Sequence, residues 1–170
     1  MSMIDRWAPW YKSGHRASYG PDDSYNLAAK WLDGLDVEDW GCGYGQFKAF
    51  HKNGAYKGVD GTAGFCDCVA DLGAYRSETP GLMMRHILEH NTDWRTVLEN
   101  AAASFTKRMA LIVFTPDGHG EQLGFTPELG VPDLALPHGE IAAAFSGTVR
   151  KVFLPTATGY TGETVWLAER

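Results

Sequence analysis

From Asp36 to about Thr115 the apolar positions alternate between two periods, short buried runs and longer amphipathic ones. In SYNLAAKWLDGL the residues Leu27, Ala28, Trp31 and Leu32 recur at helical spacing, and Gly34 supplies a stop. VEDWGCG then predicts a short strand that runs into a glycine turn, and QFKAFHKNG predicts a helix ending near Gly54. AYKGVD and CVAD predict two further strands, each ending on an acid, and GLMMRH a buried fourth. Between Asp93 and Phe105, the residues Trp94, Val97, Leu98, Ala101, Ala102 and Phe105 place one apolar stripe on a helix. MALIVFT predicts a strand buried on both faces, as in a parallel sheet. Residues 116–137 predict a glycine- and proline-rich loop, EIAAAF a short helix, and VRKVFLP and ETVWLAE two closing strands joined through TATGYTG. The first 24 residues are aromatic and polar with little periodicity.

Alternating strands and helices imply βαβ units and an α/β fold, with a doubly wound, mostly parallel sheet and helices on both faces. A length of 170 residues fits one domain over 1–170, since domains typically run about 100–200 residues. Apolar residues make up 44% and charged residues 21% of the chain, the usage of a globular protein. A formal net charge of -6 disfavours nucleic acid as a partner, because such binders carry a basic patch or stripe. The three cysteines, Cys42, Cys66 and Cys68, are an odd number without metal-ligand spacing, and no metal is expected. MSMIDRWAPW is too short and polar for a signal peptide, and no apolar run approaches the length of a membrane span. A reduced, cytoplasmic protein without a membrane partner is the expectation.

Glycine changes this bland picture. It occupies 20 positions, seven of them between Gly41 and Gly64, where backbone must turn tightly or approach a ligand. Asp39-Trp40-Gly41-Cys42-Gly43-Tyr44-Gly45 follows one strand and precedes a helix. Asp60 ends the next strand about 20 residues on, where a carboxylate can accept hydrogen bonds from both hydroxyls of a ribose. Asp71 ends the third, where a carboxylate can accept from the amino group of an adenine. In open α/β sheets such strand ends converge on a ligand.

These residues resemble the class I S-adenosylmethionine-dependent methyltransferases. VEDWGCGYG is similar to their first motif, an acid and an apolar residue followed by GxGxG. YKGVDGT resembles the strand with the ribose acid, CVADL the segment that contacts adenine, and the run from Leu82 to Pro116 their fourth strand, following helix and fifth strand, including HxLEH. The resemblance implies a Rossmann-like, seven-stranded sheet whose last strand is antiparallel and inserts between the fifth and sixth. It implies S-adenosylmethionine as cofactor, S-adenosylhomocysteine as product, and methyl transfer to an oxygen or nitrogen nucleophile. Carried over by position, the cofactor-binding residues are Asp39, Gly41, Cys42, Gly43, Asp60, Gly61, Asp71 and Leu72, and Arg85 is expected at the methionyl carboxylate. His86 is the expected catalytic base, and His90 is expected to point elsewhere with a mainly structural role. The expected acceptor is a small molecule or carbohydrate, with nucleic acid second.

Other readings compete. GCGYGQF nearly matches a dinucleotide fingerprint, but Gln46 stands where the third glycine permits close helix–strand packing. His86-Ile87-Leu88-Glu89-His90 matches an H-x-x-E-H zinc-hydrolase motif, which requires one continuous helix. A non-catalytic cofactor-binding module, or an accessory subunit, has the same sequence signature as an enzyme. Residues 1–23, with Trp7, Trp10, Tyr11 and Tyr19, are either core or a lid over the site, and Lys12, His15 and Arg16 are candidates for an anionic substrate.

Overall fold

In the computed structural model, which describes residues 3–13, 22–126, 130–156 and 160–170, two alternating faces of one sheet bury the hydrophobic positions. The elements are α1 (Met3–Lys12), α2 (Asp23–Trp31), β1 (Val37–Trp40), β2 (Tyr56–Asp60), β3 (Cys68–Val69), β4 (Thr79–Arg85) and α3 (Trp94–Ser104). There follow β5 (Phe105–Val113), β6 (Gln122–Thr126), β7 (Val131–Leu134), α4 (His138–Ala143), β8 (Thr148–Leu154) and β9 (Glu163–Glu169). Single 3-10 turns lie at Gln46–Ala49 and Leu88–His90.

Seven strands form the main sheet in the order β3-β2-β1-β4-β5-β9-β8. The first five run parallel, while β9 is antiparallel to both β5 and β8. The last strand therefore inserts beside β5, as the resemblance implied. Strand pleating explains why MALIVFT is apolar throughout. Met109, Leu111 and Val113 join Leu82, Met84, Trp166, α3 and α4 in one core layer. Ala110 and Ile112 join Met83, Val165, Leu167, α2 and Phe47 in the other. Cys42, Cys66 and Cys68 are free thiols. No helix among the described residues is long and apolar enough to cross a membrane.

Three local expectations are corrected. The helix expected over QFKAFHKNG is one 3-10 turn, Gln46–Ala49, entered from a left-handed Gly45 at φ 71°. Phe47 and Phe50 stack on Tyr25 of α2, and the turn after them closes on Gly54 at φ 128°; tertiary stacking overrides a weak helical preference. The first 24 residues, read as lacking periodicity, contain α1, in which Ile4, Trp7 and Tyr11 share a face despite Pro9 within the helix. Residues 116–137 are not simply a loop, since β6 and β7 pair there as a separate antiparallel hairpin.

Candidate active site

The carboxyl ends of β1, β2, β3 and β4 open on one cavity of about 280 Å3. Gly41, Cys42 and Gly43 line it after β1; Asp60, Gly61 and Thr62 after β2; Asp71 and Leu72 after β3; Arg85, His86 and His90 after β4. The strand-end residues singled out from sequence are thus brought together, with Asp39 as the exception.

Gly41 and Gly43 hold φ values of 70° and 51°, a region that favours glycine. A side chain at Gly41 would also collide with Ile87. Asp60 fixes this turn from the next strand. Its Oδ2 accepts the Gly43 N–H at 3.0 Å and its Oδ1 the Thr62 N–H at 2.9 Å, so one carboxylate stitches two loops. Burial raises its pKa, against the lowering effect of those N–H groups. Asp39 lies behind the turn instead of in the cavity wall. It is buried, its Oδ2 accepts the Tyr56 hydroxyl at 2.8 Å, and burial pushes its pKa up to about 7. From there it supports the turn through Tyr56 instead of lining the cavity. Burial also drives the Cys42 thiol well above its ordinary value, helped by the Asp39 and Asp60 charges, which removes it as a nucleophile.

Asp71 is exposed, and its Oδ1 accepts the Gly73 N–H at 2.9 Å. The helix N-terminus expected after the glycine turn is absent, because only the 3-10 turn follows it. A dinucleotide site would place its pyrophosphate on such a helix, so the geometry argues against that alternative.

At the end of β4, Arg85 and His86 meet Glu163, the first residue of β9. Arg85 Nη2 lies 2.7 Å and His86 Nε2 2.6 Å from the same Oε1. Arg85 Nε also donates to Ser24 of α2 at 3.0 Å, and the guanidinium lies 4.3 Å from the centre of the Tyr25 ring. Glu163 balances the Arg85 charge, and Arg85 at the same time contributes to the cavity lining. Burial, aided by Arg85, lowers the His86 pKa to about 4, while contact with His86 and Arg85 outweighs burial and lowers that of Glu163. A neutral imidazole facing a carboxylate donates from Nε2, leaving Nδ1 as its basic nitrogen. His86 occupies φ 57°, a left-handed conformation unusual for a residue with a side chain.

His90 does not point elsewhere. It lines the same cavity, with Trp7 edge-on to its ring at 5.4 Å. Its Nδ1 lies 3.0 Å from the Pro132 carbonyl and 3.3 Å from Asp133 Oδ1, both on β7. Glu89 is fully buried, its Oε1 accepting the Phe114 N–H. The H-x-x-E-H run therefore spans a strand end and a 3-10 turn, and no group of residues among those described can hold a metal ion. Sequence reasoning missed Glu163 and Asp133 altogether.

α1 covers the opening. Ile4, Trp7, Trp10 and Tyr11 line the cavity, a side chain at Gly61 would run into Ile4, and Arg6 donates to the Gly130 carbonyl beside β7. Lys12 is exposed, and His15, Arg16 and Tyr19 lie outside the described residues.

No family model and no curated protein matches the sequence. Solved structures do match its fold. A 1,6-didemethyltoxoflavin-N1-methyltransferase from Burkholderia thailandensis, solved with 1,6-didemethyltoxoflavin and S-adenosylhomocysteine bound, is 18% identical, with 98% of this chain and 87% of that one covered at a TM-score of 0.75. A magnesium protoporphyrin IX methyltransferase from Synechocystis PCC 6803 with bound S-adenosylhomocysteine is 17% identical, covers 98% and 94%, and has a TM-score of 0.66. The [4+2]-cyclase SpnF is 12% identical over 99% and 93% of the two chains at a TM-score of 0.69. The chain has the fold of the class I S-adenosylmethionine-dependent methyltransferases.

Proposed function

We propose that this protein transfers a methyl group from S-adenosylmethionine to an oxygen or nitrogen nucleophile of a small molecule. A carbohydrate is a second possible source of that nucleophile, and nucleic acid comes after both. The observation that carries this reading is the convergence, in one cavity, of a glycine turn, the strand-end carboxylates Asp60 and Asp71, and two histidines. The fold alone does not choose the reaction, since one neighbour is a cyclase by name; the residues of the site do.

The residues present fit the cofactor. The glycine turn lets backbone come close, Asp60 is positioned to accept from ribose hydroxyls, Asp71 from an adenine amino group, and Leu72 and Val97 supply apolar wall for the base. When bound, the cofactor supplies a methyl group already activated on a sulfonium. The chain's own work is then to align the nucleophile and exclude water, and proximity of this kind can supply about 7–11 kcal/mol of barrier reduction. His86, neutral and fixed by Glu163, forms part of the cavity wall. The planar acceptors in the names of the two methyltransferase neighbours support an aromatic or heteroaromatic compound, which Trp7, Trp10 and Tyr25 in the cavity wall would contact well.

Ligand pockets usually span about 300–1,000 Å3, and a cavity of about 280 Å3 lies just below that range. In this reading α1, which covers the opening, acts as a lid that moves outward to receive cofactor and acceptor. Amide exchange in residues 3–12 should slow when S-adenosylhomocysteine binds and α1 closes over it. Exchange that does not change would make α1 plain scaffold.

The principal test is ligand-dependent melting. A ligand that binds only the native state stabilises it by about 2.7 kcal/mol at a hundredfold excess over its dissociation constant. S-adenosylhomocysteine should raise the melting temperature and NAD should not; the reverse result rejects the reading. A screen with labelled methyl across phenols, heteroaromatic compounds, sugars and nucleic acids should then show transfer to a small molecule. Tight binding with no transfer to any class would leave a binding module instead of an enzyme.

A further inference from the structure

We propose that His90 is the residue that accepts the proton during the reaction, with Asp133 as its positioning residue. This inference rests on the methyl-transfer reading above. It reassigns the base from His86, where the sequence alone places it.

The two histidines line one cavity and both rings lie against Phe114, at 4.9 Å for His86 and 5.4 Å for His90. Their hydrogen bonds give them opposite chemistry. His90 Nδ1 faces two acceptors, the Pro132 carbonyl at 3.0 Å and Asp133 Oδ1 at 3.3 Å. The Pro132 carbonyl fixes the proton on Nδ1, with the Asp133 charge beside it, so Nε2 carries the lone pair. Among the described residues no group bonds to Nε2, and the side chain keeps 11% exposure. Asp133 is itself held, because its Oδ2 accepts the Tyr160 hydroxyl at 3.1 Å. A carboxylate that orients an imidazole, and balances the imidazolium once it forms, is the arrangement that makes histidine an effective general base.

The charges around each ring decide between them. His86 touches Glu163, but Arg85 shares that carboxylate and burial is severe, so its pKa falls to about 4. His90 faces Asp133 from β7, Glu89 from its own 3-10 turn, and His86 from the end of β4, while α1 presents the Trp7 ring. Burial lowers its pKa, yet Asp133, Glu89 and the Pro132 carbonyl outweigh burial and the net shift is upward. Glu89 is pushed up to about 7 by burial and His86 is neutral, so Asp133 is the dominant fixed charge. When two groups in one site are driven apart in this way, the environment has assigned their roles. His86 is locked against Glu163; His90 takes the proton.

The step balances. The acceptor's lone pair forms the new bond to carbon, the carbon–sulfur pair stays on sulfur, and the acceptor's proton passes to His90 Nε2. From the imidazolium, paired with Asp133, the proton leaves to solvent after the product departs.

The test uses the full-length chain labelled with 15N and 13C, as wild type, Asp133→Asn and His90→Gln, with S-adenosylhomocysteine binding measured by calorimetry on the same samples. Long-range 1H–15N spectra should show His90 protonated at Nδ1 when neutral, and His86 at Nε2. Asp133→Asn, which keeps the shape but removes the charge, should lower the His90 midpoint by about one pH unit. Methyl transfer to the phenols and heteroaromatics of the screen should show an acid limb that moves with this midpoint. His90→Gln should reduce kcat about 10²–10⁴-fold with little change in KM or in S-adenosylhomocysteine affinity. A His90 proton on Nε2, or a midpoint indifferent to Asp133→Asn, overturns the proposal whether or not an acceptor is found. Loss of S-adenosylhomocysteine binding in wild type would instead defeat the methyl-transfer reading, which the calorimetry reports separately.

Discussion

Asp60→Ala is expected to weaken S-adenosylhomocysteine binding by at least a hundredfold. The carboxylate is almost fully buried and already holds the Gly43 and Thr62 N–H groups, so its second lone pairs are aimed from a fixed frame. Hydrogen bonds to a charged group are each worth about 1.5–3 kcal/mol, and about 1.4 kcal/mol is tenfold in affinity. Losing two ribose contacts therefore accounts for the hundredfold alone. Alanine also releases the two loops, so the apo protein should melt earlier as well. Asp60→Asn separates the effects, because it keeps the volume and one acceptor oxygen while removing the charge. An Asn variant that folds and binds with native affinity would take Asp60 out of the cofactor site. The pH dependence has a definite sign. Burial raises the Asp60 pKa from its ordinary 3.8, and the ionised form is the one that accepts two bonds, so affinity should fall on acidification, and sooner than for an ordinary aspartate. Asp71→Ala, at an exposed position with its Oδ1 turned to Gly73, should cost less than Asp60→Ala.

How much of this was legible depended on the range of each interaction. β5 was plain because both faces of a central strand are buried, and Met109, Leu111 and Val113 on one side match Ala110 and Ile112 on the other. The glycine turn and the strand-end acids were plain because topology alone brings carboxyl ends of parallel strands together. The helix expected after β1 is a single 3-10 turn, since the stacking of Phe47 and Phe50 on Tyr25 joins residues more than 20 apart and leaves no periodic trace. In α1 the stripe Ile4, Trp7 and Tyr11 does have helical spacing, but Pro9 and the polar residues between them mask it.

The polar partners were the least legible. Nothing in ETVWLAE marks its first residue as the counter-ion of Arg85, 78 positions earlier. The registers Arg85↔Ile112 and Ile112↔Val165 had to be known before Glu163 could be placed. Asp133 was hidden for the same reason, in a segment read as loop until β7 gave it a fixed direction toward His90. His90 was misread in consequence, because a histidine's chemistry is set by what holds its other nitrogen.

Glu163→Ala should produce the largest loss of stability of any single change in the site. The side chains of Glu163 and Arg85 are 0% and 4% exposed, and both Arg85 and His86 converge on one Glu163 oxygen. Truncating one member of a buried pair leaves its partner's charge uncompensated, which costs about 3–5 kcal/mol. That is a large share of a whole domain's stability of about 5–15 kcal/mol. Arg85 cannot neutralise itself by losing its proton, so the cost cannot be evaded by deprotonation. Glu163→Gln should cost less than Ala, because an amide oxygen still accepts from His86 Nε2 and from Arg85, and the difference between the two variants reads the value of hydrogen bonding apart from charge. Contact with His86 and Arg85 holds the Glu163 pKa below its ordinary 4.5 in the folded state. Its contribution is therefore present in full above about pH 4.5 and is lost as pH falls through the lower folded value. Urea unfolding of wild type and Glu163→Ala should differ most at neutral pH and converge in strong acid. A variant as stable as wild type at pH 7 would mean that Arg85 finds another counter-charge, and that Glu163 is not what fixes His86 in the cavity wall.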